Sequence, residues 1–411
     1  MKRRHAFLAG MVAFLCLISV WGNAAMAEQT VNYPFPMHVD YADGVILPMS
    51  NREDMDNDVR KLYDEWKAKY LKASPYDGDQ IYVHWYGDEG ITVSEAHGYG
   101  MLVLAYMAGY DSDAQTLFDG MVRYYLAHPS EIVPALMAWQ QDDDGGKIID
   151  INGVDSATDG DLDIAYALLL ADKQWGSGGE LDYLALAKRS IEGSMDGVVD
   201  QKNWVLLIGD WAKGAGADSR AKTRPSDFML GHFMAFAKAT EDDRWSLLSD
   251  SIEKAVKDLV SGYSPNAGLL PNFAMRKGDS FVPEEGSVYS WDACRVPWRM
   301  ATLRITHGDT RFDGELAILN GWALDASGGK PGSLCCGYAL DGTPLVSYLD
   351  PAFSAPFMVA AMLNTENPDF LRSMWFYNLR GSTASGGYYD NTIRLLCFIL
   401  ASGNWWCPDL V

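Results

Sequence analysis

The chain is poor in positive charge and in cysteine, and it lacks the signatures of several common chemistries. Lys and Arg number 33 against 55 Asp and Glu, a formal net charge of −22 over 411 residues. So acidic a surface repels nucleic acid and anionic lipid, which sets both aside as partners. It suits a neutral or cationic partner, and it equally serves to keep a protein in solution. Of the six cysteines, Cys16 lies in the apolar N-terminal run, leaving Cys294, Cys335, Cys336, Cys397 and Cys407. Five is odd and the spacings match neither a disulfide framework nor a zinc pattern, so at most two bridges form and their pairing is not readable. There is no G-x-S-x-G elbow, no Ser/His/Asp set among the seven histidines, no glycine-rich phosphate loop, and no H-E-x-x-H or C-x-x-C. No cofactor and no metal is implied.

Also missing, after the first 27 residues, is any stretch that reaches membrane-spanning length without charge. Lys2, Arg3 and Arg4 precede an apolar stretch from Ala6 to Trp21, and Ala25-Met26-Ala27 forms a small-x-small cleavage site before Glu28. Residues 1–27 therefore read as a signal peptide, too short and wrongly flanked for a membrane anchor. The mature chain, 28–411, is expected to be exported (extracellular or periplasmic), free of the membrane and monomeric. No linker or composition shift divides it, so a single domain is expected.

Two kinds of helix alternate along it. Asp58 to Leu71 puts Val59, Leu62, Tyr63, Trp66 and Tyr70 on one face, and Arg244 to Tyr263 does the same with Leu248, Ile252, Val256 and Leu259. This is the spacing of half-exposed helices. Gly98–Tyr110, Ile164–Ala171, Ala355–Leu363 and Leu395–Ala401 are apolar almost all round and must be buried on every side. The alternation predicts an all-α toroid in which an inner ring of helices is wrapped by an outer ring. About six pairs fit, at roughly 64 residues each, with short strands in the loops at the cleft end.

Acidic residues cluster where the apolar helices begin. In Thr92–Met101, TVSEAHGYGM, Glu95 is either half of a capping box with Thr92 or a working acid. Asp159, Asp161 and Asp163 alternate before the apolar run at Ile164. They do not form an EF-hand loop, because Ile164 and Leu170 stand where Gly and Glu are needed, and three aspartates exceed what a helix cap requires. Asp142-Asp143-Asp144 reads as an exposed loop. Asp292 and Arg295 sit at i and i+3, so an arginine on the same helix face keeps the carboxylate ionised, whether as a structural ion pair or as a general base. Trp85, Tyr86, Tyr99, Trp139, Trp204, Trp211, Trp291, Tyr388 and Tyr389 lie near these carboxylates in sequence or in the same loops. Aromatic rings beside carboxylates are what a sugar-stacking groove requires.

These residues resemble glycoside hydrolase family 8. The resemblance rests on Ala157-Thr158-Asp159-Gly160-Asp161 with Ile164-Ala165 and Trp175, on Ser94-Glu95 with Gly98-Tyr99-Gly100-Met101, and on Asp292-Ala293-Cys294-Arg295-Val296-Pro297-Trp298-Arg299. Thr223–Met229, TRPSDFM, and Gly403-Asn404-Trp405-Trp406 are similar to a branch holding bacterial glucanases, lichenases and chitosanases. The resemblance runs from about Asn51 to the C-terminus. It implies an (α/α)6 barrel and inverting, endo-acting hydrolysis of β-1,4 linkages in cellulose-like or mixed-linkage β-glucan. Chitosan or xylan is the alternative substrate, and a non-catalytic polysaccharide-binding protein is the rival from another class. By this resemblance Glu95 is the general acid, and Asp159 and Asp161 hold the sugar in the cleft. Tyr99, Trp139, Trp291, Arg295, Tyr388 and Tyr389 contact substrate. The base is expected at Asp292, correctly spaced from Arg295. The branch with TRPSDFM tends to carry Asn there and a glutamate upstream, which leaves Glu285 or Glu284 as the alternative.

Overall fold

The alternation of apolar and amphipathic segments becomes two rings of helices. The computed structural model describes residues 31–411, so the leader expected at 1–27 lies outside the described residues. In chain order the long helices are α1 (Arg52–Tyr70), α2 (Ser94–Met107), α3 (Ala114–Ala127), α4 (Thr158–Trp175), α5 (Tyr183–Gly197), α6 (Leu230–Thr240), α7 (Arg244–Tyr263), α8 (Val296–His307), α9 (Asp313–Ser327), α10 (Pro351–Ala361), α11 (Pro368–Leu379) and α12 (Tyr388–Ala401). The even-numbered helices form the inner ring. Each packs on the next, and α12 closes the ring against α2. The odd-numbered helices wrap them, making an (α/α)6 barrel. A five-residue helix, Ala217–Ala221, is an addition in the α5–α6 connection.

Burial follows the sequence pattern. In α1 the face Met55, Val59, Leu62, Tyr63, Trp66 and Tyr70 is buried, while Lys61, Asp64 and Glu65 are exposed. Asn51 caps that helix by accepting from the Glu53 N–H, and acidic residues in its first turn with lysines in its last complement the helix dipole. In α2 every residue except Glu95 is buried. A helix sealed on all sides with one acidic residue left open at its first turn directs that residue toward whatever the barrel end encloses.

Short strands do occur in the loops at that end. Thr92–Val93, Gln140–Asp143 and Ile148–Asp150 form one antiparallel sheet, and Lys222–Thr223, Ala274–Lys277 and Ser280–Pro283 form another. Asp142 and Asp143 belong to the first sheet. Asp143 and Asp144 spend carboxylate oxygens on the backbone N–H groups of Gly145, Gly146 and Lys147, which makes this a turn. All five described cysteines are buried and unbridged. No described helix is long and apolar enough to cross a membrane.

Candidate active site

The N-termini of α2, α4 and α12 meet the turn ahead of α8 around a cavity of about 400 Å³. Its acidic wall is Glu95, Asp159 and Asp292, its basic wall Arg224 and Arg295, and its aromatic wall Trp85, Trp139, Trp291, Tyr388 and Tyr389. A larger cavity, about 490 Å³ between Lys202, Arg220 and Arg276, holds none of the candidate catalytic carboxylates, so chemistry rather than size selects the smaller one.

Glu95 does not cap its helix. The cap position of α2 is Val93, which supplies no side-chain acceptor. The Thr92 hydroxyl is spent on the Val83 carbonyl at 2.7 Å. Ser94 Oγ has no hydrogen-bond partner among the described residues, so neither Thr92 nor Ser94 takes the cap instead. The backbone N–H of Ser94 is satisfied by the Trp139 carbonyl at 2.8 Å, across the short sheet that pairs Val93 with Gln140. The Glu95 carboxyl is therefore free to face the cavity. Its Oε2 accepts from Arg295 Nη1 at 2.8 Å and its Oε1 from the Tyr388 hydroxyl at 3.2 Å. Burial pushes this carboxyl up to about 7, with the Asp159 charge adding to it and Arg295 opposing.

The aspartates of 159–163 lie within α4, which starts at Thr158 rather than after them. At about 100° per residue, i and i+4 share a face and i+2 points away. Asp159 faces the cavity, where Oδ2 accepts from Arg295 Nη1 at 2.7 Å and Oδ1 is 2.9 Å from Arg224 Nη2, a charge contact without hydrogen-bond alignment. Burial alone would raise its pKa, but the two guanidiniums outweigh that and hold the carboxyl well below the usual carboxylate range. Asp163, one turn deeper, pairs with Arg299 at 2.6 Å and His232 at 2.9 Å inside the barrel. Asp161 is not on the cavity wall, contrary to the sequence expectation. It points backwards and accepts from the Met137 N–H at 3.1 Å, which anchors the segment that carries Trp139. Tyr99 is likewise displaced from its expected role. It follows Glu95 by four residues, so it lies one turn beneath, fully buried, with its hydroxyl receiving Arg295 Nη1 at 3.3 Å. It supports the arginine from below.

Arg295 is not the private partner of Asp292 that their spacing suggests. Its Nη atoms contact Glu95, Asp159, the Tyr99 hydroxyl and Ser226 Oγ, its Nε donates to the Asp292 backbone carbonyl at 3.2 Å, and the Asp292 carboxylate Oδ1 stands 3.7 Å from Nη2. Asp292 is also 3.6 Å from Arg224 Nη1 and keeps 31 % of its side chain exposed, the position of a group that can hold a water. Arg224 escaped the sequence reading. It bridges Asp159 and Asp292 and is itself gripped by Asp227, whose two oxygens take Nε at 3.1 and 3.0 Å. TRPSDFM was visible as a motif, but nothing local says that its arginine reaches a carboxylate 65 positions earlier in the chain. Glu284 and Glu285 do not line the cavity. Glu284 pairs with Lys222 at 2.8 Å and Glu285 is exposed in the turn after its strand.

The aromatic wall is held in place from outside. Trp139 Nε1 donates to the Asn152 carbonyl at 2.8 Å. Trp291 meets Phe353 edge to face at 5.0 Å, and its carbonyl takes the Tyr389 hydroxyl at 2.7 Å. Trp85, which sequence reasoning placed only among nearby aromatics, completes the wall, its Nε1 satisfied by the Gly90 carbonyl at 3.0 Å. The rings are thus fixed while faces remain open to a flat, apolar ligand surface such as a pyranose.

Comparison with known proteins agrees with this geometry. The model of glycosyl hydrolases family 8 matches residues 33–324. A beta-glucanase from Niallia circulans is 42 % identical, aligned over 98 % of this chain and 99 % of that protein. An endoglucanase from Bacillus sp. (strain KSM-330) is 34 % identical over 91 % of this chain and 82 % of its own. The apo structure of a beta-1,3-1,4-glucanase from Paenibacillus sp. X4 superposes with a TM-score of 0.87 at 43 % identity, covering 92 % of this chain and 99 % of that one. With the barrel, its carboxylate-lined end and these relatives in agreement, the chain is a glycoside hydrolase, and it belongs to glycosyl hydrolases family 8.

Proposed function

We propose that this hydrolase cuts β-1,4 linkages within β-glucan chains, cellulose-like or mixed-linkage, with inversion at the anomeric carbon. Glu95 is the general acid, giving its proton to the leaving glycosidic oxygen as the bond from the anomeric carbon breaks. Asp292 is the general base, taking a proton from the water that attacks the opposite face. Asp159, kept anionic by Arg224 and Arg295, holds the sugar at the point of cleavage. The observation that carries this reading is the Glu95 carboxyl, raised to about 7 inside an aromatic-lined cavity whose other walls keep a second carboxylate ionised.

The spacing is compatible with inversion. Glu95 and Asp292 contact one guanidinium whose Nη atoms are about 2.3 Å apart, so their contacting oxygens lie within about 9 Å of each other. Inverting enzymes need about 6.5–9.5 Å to seat a water between the carboxyls. The relatives' names, beta-glucanase and endoglucanase, support β-glucan as the substrate class. The net charge of −22 favours one second reading, cationic chitosan. Reducing-sugar release from carboxymethylcellulose, lichenan, xylan and chitosan separates them, and cleavage of chitosan alone would reject the glucanase assignment. Proton NMR of the first product should show the α-anomer, and a β-anomer would reject inversion. We also propose export with cleavage after Ala27, for which the mature N-terminus from culture supernatant is the test.

A further inference from the structure

At the far end of α8 a second cluster of chemistry-bearing side chains has no part in the reaction described above. His307 is the last residue of α8, twelve positions beyond Arg295 and so about 18 Å from it along the helix. Cys407 and Asp409 come from the segment that follows α12. The donor atoms of these three residues all lie within 4.8 Å of one another. His307 Nε2 is 3.2 Å from Asp409 Oδ2, their side chains are 2 % and 7 % exposed, and Cys407 is 3 % exposed.

Two further observations point to a ligand. The first is Asp409 Oδ1, a buried carboxylate oxygen without a hydrogen-bond partner among the described residues. Burying such an atom unsatisfied forfeits its hydration with nothing in return, so it calls for a partner. The second is the hydrogen-bond chain behind the imidazole. Thr306 Oγ1 donates to the Thr302 carbonyl at 2.7 Å and stands 2.8 Å from His307 Nδ1. With its one proton given to the carbonyl, the hydroxyl accepts from Nδ1–H, and Nε2 turns a lone pair toward a carboxylate oxygen. Two acceptors in contact are reconciled by a cation or by a second proton on the ring. An imidazole whose other nitrogen donates to a fixed oxygen is the usual support for a metal-ligating histidine.

We propose that His307, Cys407 and Asp409 bind one Zn²⁺ ion that ties the C-terminal segment to the base of the barrel. Imidazole, thiolate and carboxylate together are the donor set of zinc and unsuited to calcium or magnesium. A tetrahedral zinc with bonds of about 2.0–2.3 Å places its donors about 3.3–3.8 Å apart. The spread observed is brought to that range by side-chain movements of about 1 Å or less, and Oδ1 is available as a further donor. No local motif marks this site, because His307 stands 100 positions before Cys407 and Asp409 follows two residues later.

The test uses the whole mature enzyme, purified without chelator and with no affinity tag that binds metal. Elemental analysis should find about one zinc per chain. Stripping with a chelator should lower Tm, and added Zn²⁺ should restore it. Co²⁺ in place of zinc should give a near-ultraviolet thiolate charge-transfer band, absent from Cys407→Ser. Cys407→Ser and His307→Gln should each weaken zinc binding by at least the about 10–100-fold that loss of a mere supporting partner costs. Activity at 25 °C should persist in the stripped protein, because the site is remote from the cavity. Absence of zinc together with absence of the cobalt band in the unmutated protein would overturn the proposal, leaving His307 and Asp409 as a hydrogen-bonded pair. Equal zinc affinity in Cys407→Ser would also overturn it, and the measurements on unmutated enzyme decide the matter even if a variant fails to fold.

Discussion

Replacing Glu95 by Gln is the sharpest perturbation the site offers, because it removes one proton and almost nothing else. The side-chain oxygen of Gln still accepts from Arg295 Nη1, and its amide sits where Oε1 now receives the Tyr388 hydroxyl, which need only rotate to become the acceptor. Packing and substrate contacts are preserved, so KM should hardly change. General-acid catalysis contributes about 10²–10⁴-fold, equivalent to about 2.7–5.5 kcal/mol of barrier, and kcat should fall by that amount. The pH profile gives an independent handle. Burial raises Glu95 to about 7. The acid form is therefore about 99 % populated at pH 5, about half at pH 7 and about a tenth at pH 8, so kcat/KM in the parent should drop about tenfold per unit well above pH 7. The same sign holds for stability. A carboxyl raised in the fold stabilises it below the unfolded value near 4.5, and that contribution is lost as pH rises through about 7. In Glu95→Gln the alkaline limb should disappear, and an aryl glucoside with a strongly acidic phenol, which leaves without protonation, should recover much of the lost rate. Retention of kcat within about tenfold, or an unchanged alkaline limb, would refute Glu95 as the acid.

Three other substitutions test the remaining walls. Asp292→Asn should cost about 10²–10⁴-fold in kcat while Glu285→Gln and Glu284→Gln stay within about twofold, and survival of activity in Asp292→Asn would move the base elsewhere. Asp227→Asn removes one of the charges that grip Arg224, at 3.0–3.1 Å, while Asp159 and Asp292 remain, and loss of these charged hydrogen bonds should cost about 1.5–3 kcal/mol, read as a lower urea midpoint at unchanged m. A loss below about 1 kcal/mol would mean that Asp159 alone fixes Arg224. Gly160→Ala puts a methyl group 2.5 Å from Ser94 Oγ and 2.6 Å from its carbonyl carbon, and overpacking of this kind should cost about 1–3 kcal/mol with a fall in kcat. Unchanged stability and rate would show that α2 and α4 have room to spare.

The barrel was legible because burial imposes a period. A ring sealed on all sides needs helices apolar all round, and a ring facing water needs one-sided helices, so the alternation of the two already states the architecture. The candidate site was partly legible for the same reason, since an isolated acid opening a fully apolar helix has few structural uses. What failed was the phase. The apolar run of α4 begins at Ile164, but the helix begins six residues earlier at Thr158. Placing the aspartates ahead of the helix gave Asp159 and Asp161 equal access to the cleft. Helical phase sends Asp159 inward and Asp161 to the back. Tyr99 failed by the same geometry, lying one turn too deep. Arg224 and the His307 cluster failed for another reason, because their partners are brought together only by ring closure and leave no local pattern.

The two small residues of the opening motifs show how the fold sets the chemistry. Gly98 approaches α4 so closely that a Cβ there would stand 2.8 Å from Asp163 Cβ and 3.1 Å from the Gly160 carbonyl, and Gly160 returns the contact against Ser94. Each helix thus presents a bare backbone where the other crosses, which lets α2 and α4 pack with their first turns in contact. That contact puts Glu95 and Asp159 on one guanidinium, Arg295 Nη1, at 2.8 and 2.7 Å. Two carboxyls so placed cannot both ionise without cost. Asp159 has a second arginine and less exposure, so it takes the charge, and Glu95 is left with the proton. The assignment of acid and anion therefore follows from which carboxyl Arg224 reaches, and the glycines are what bring the pair close enough for that choice to be forced.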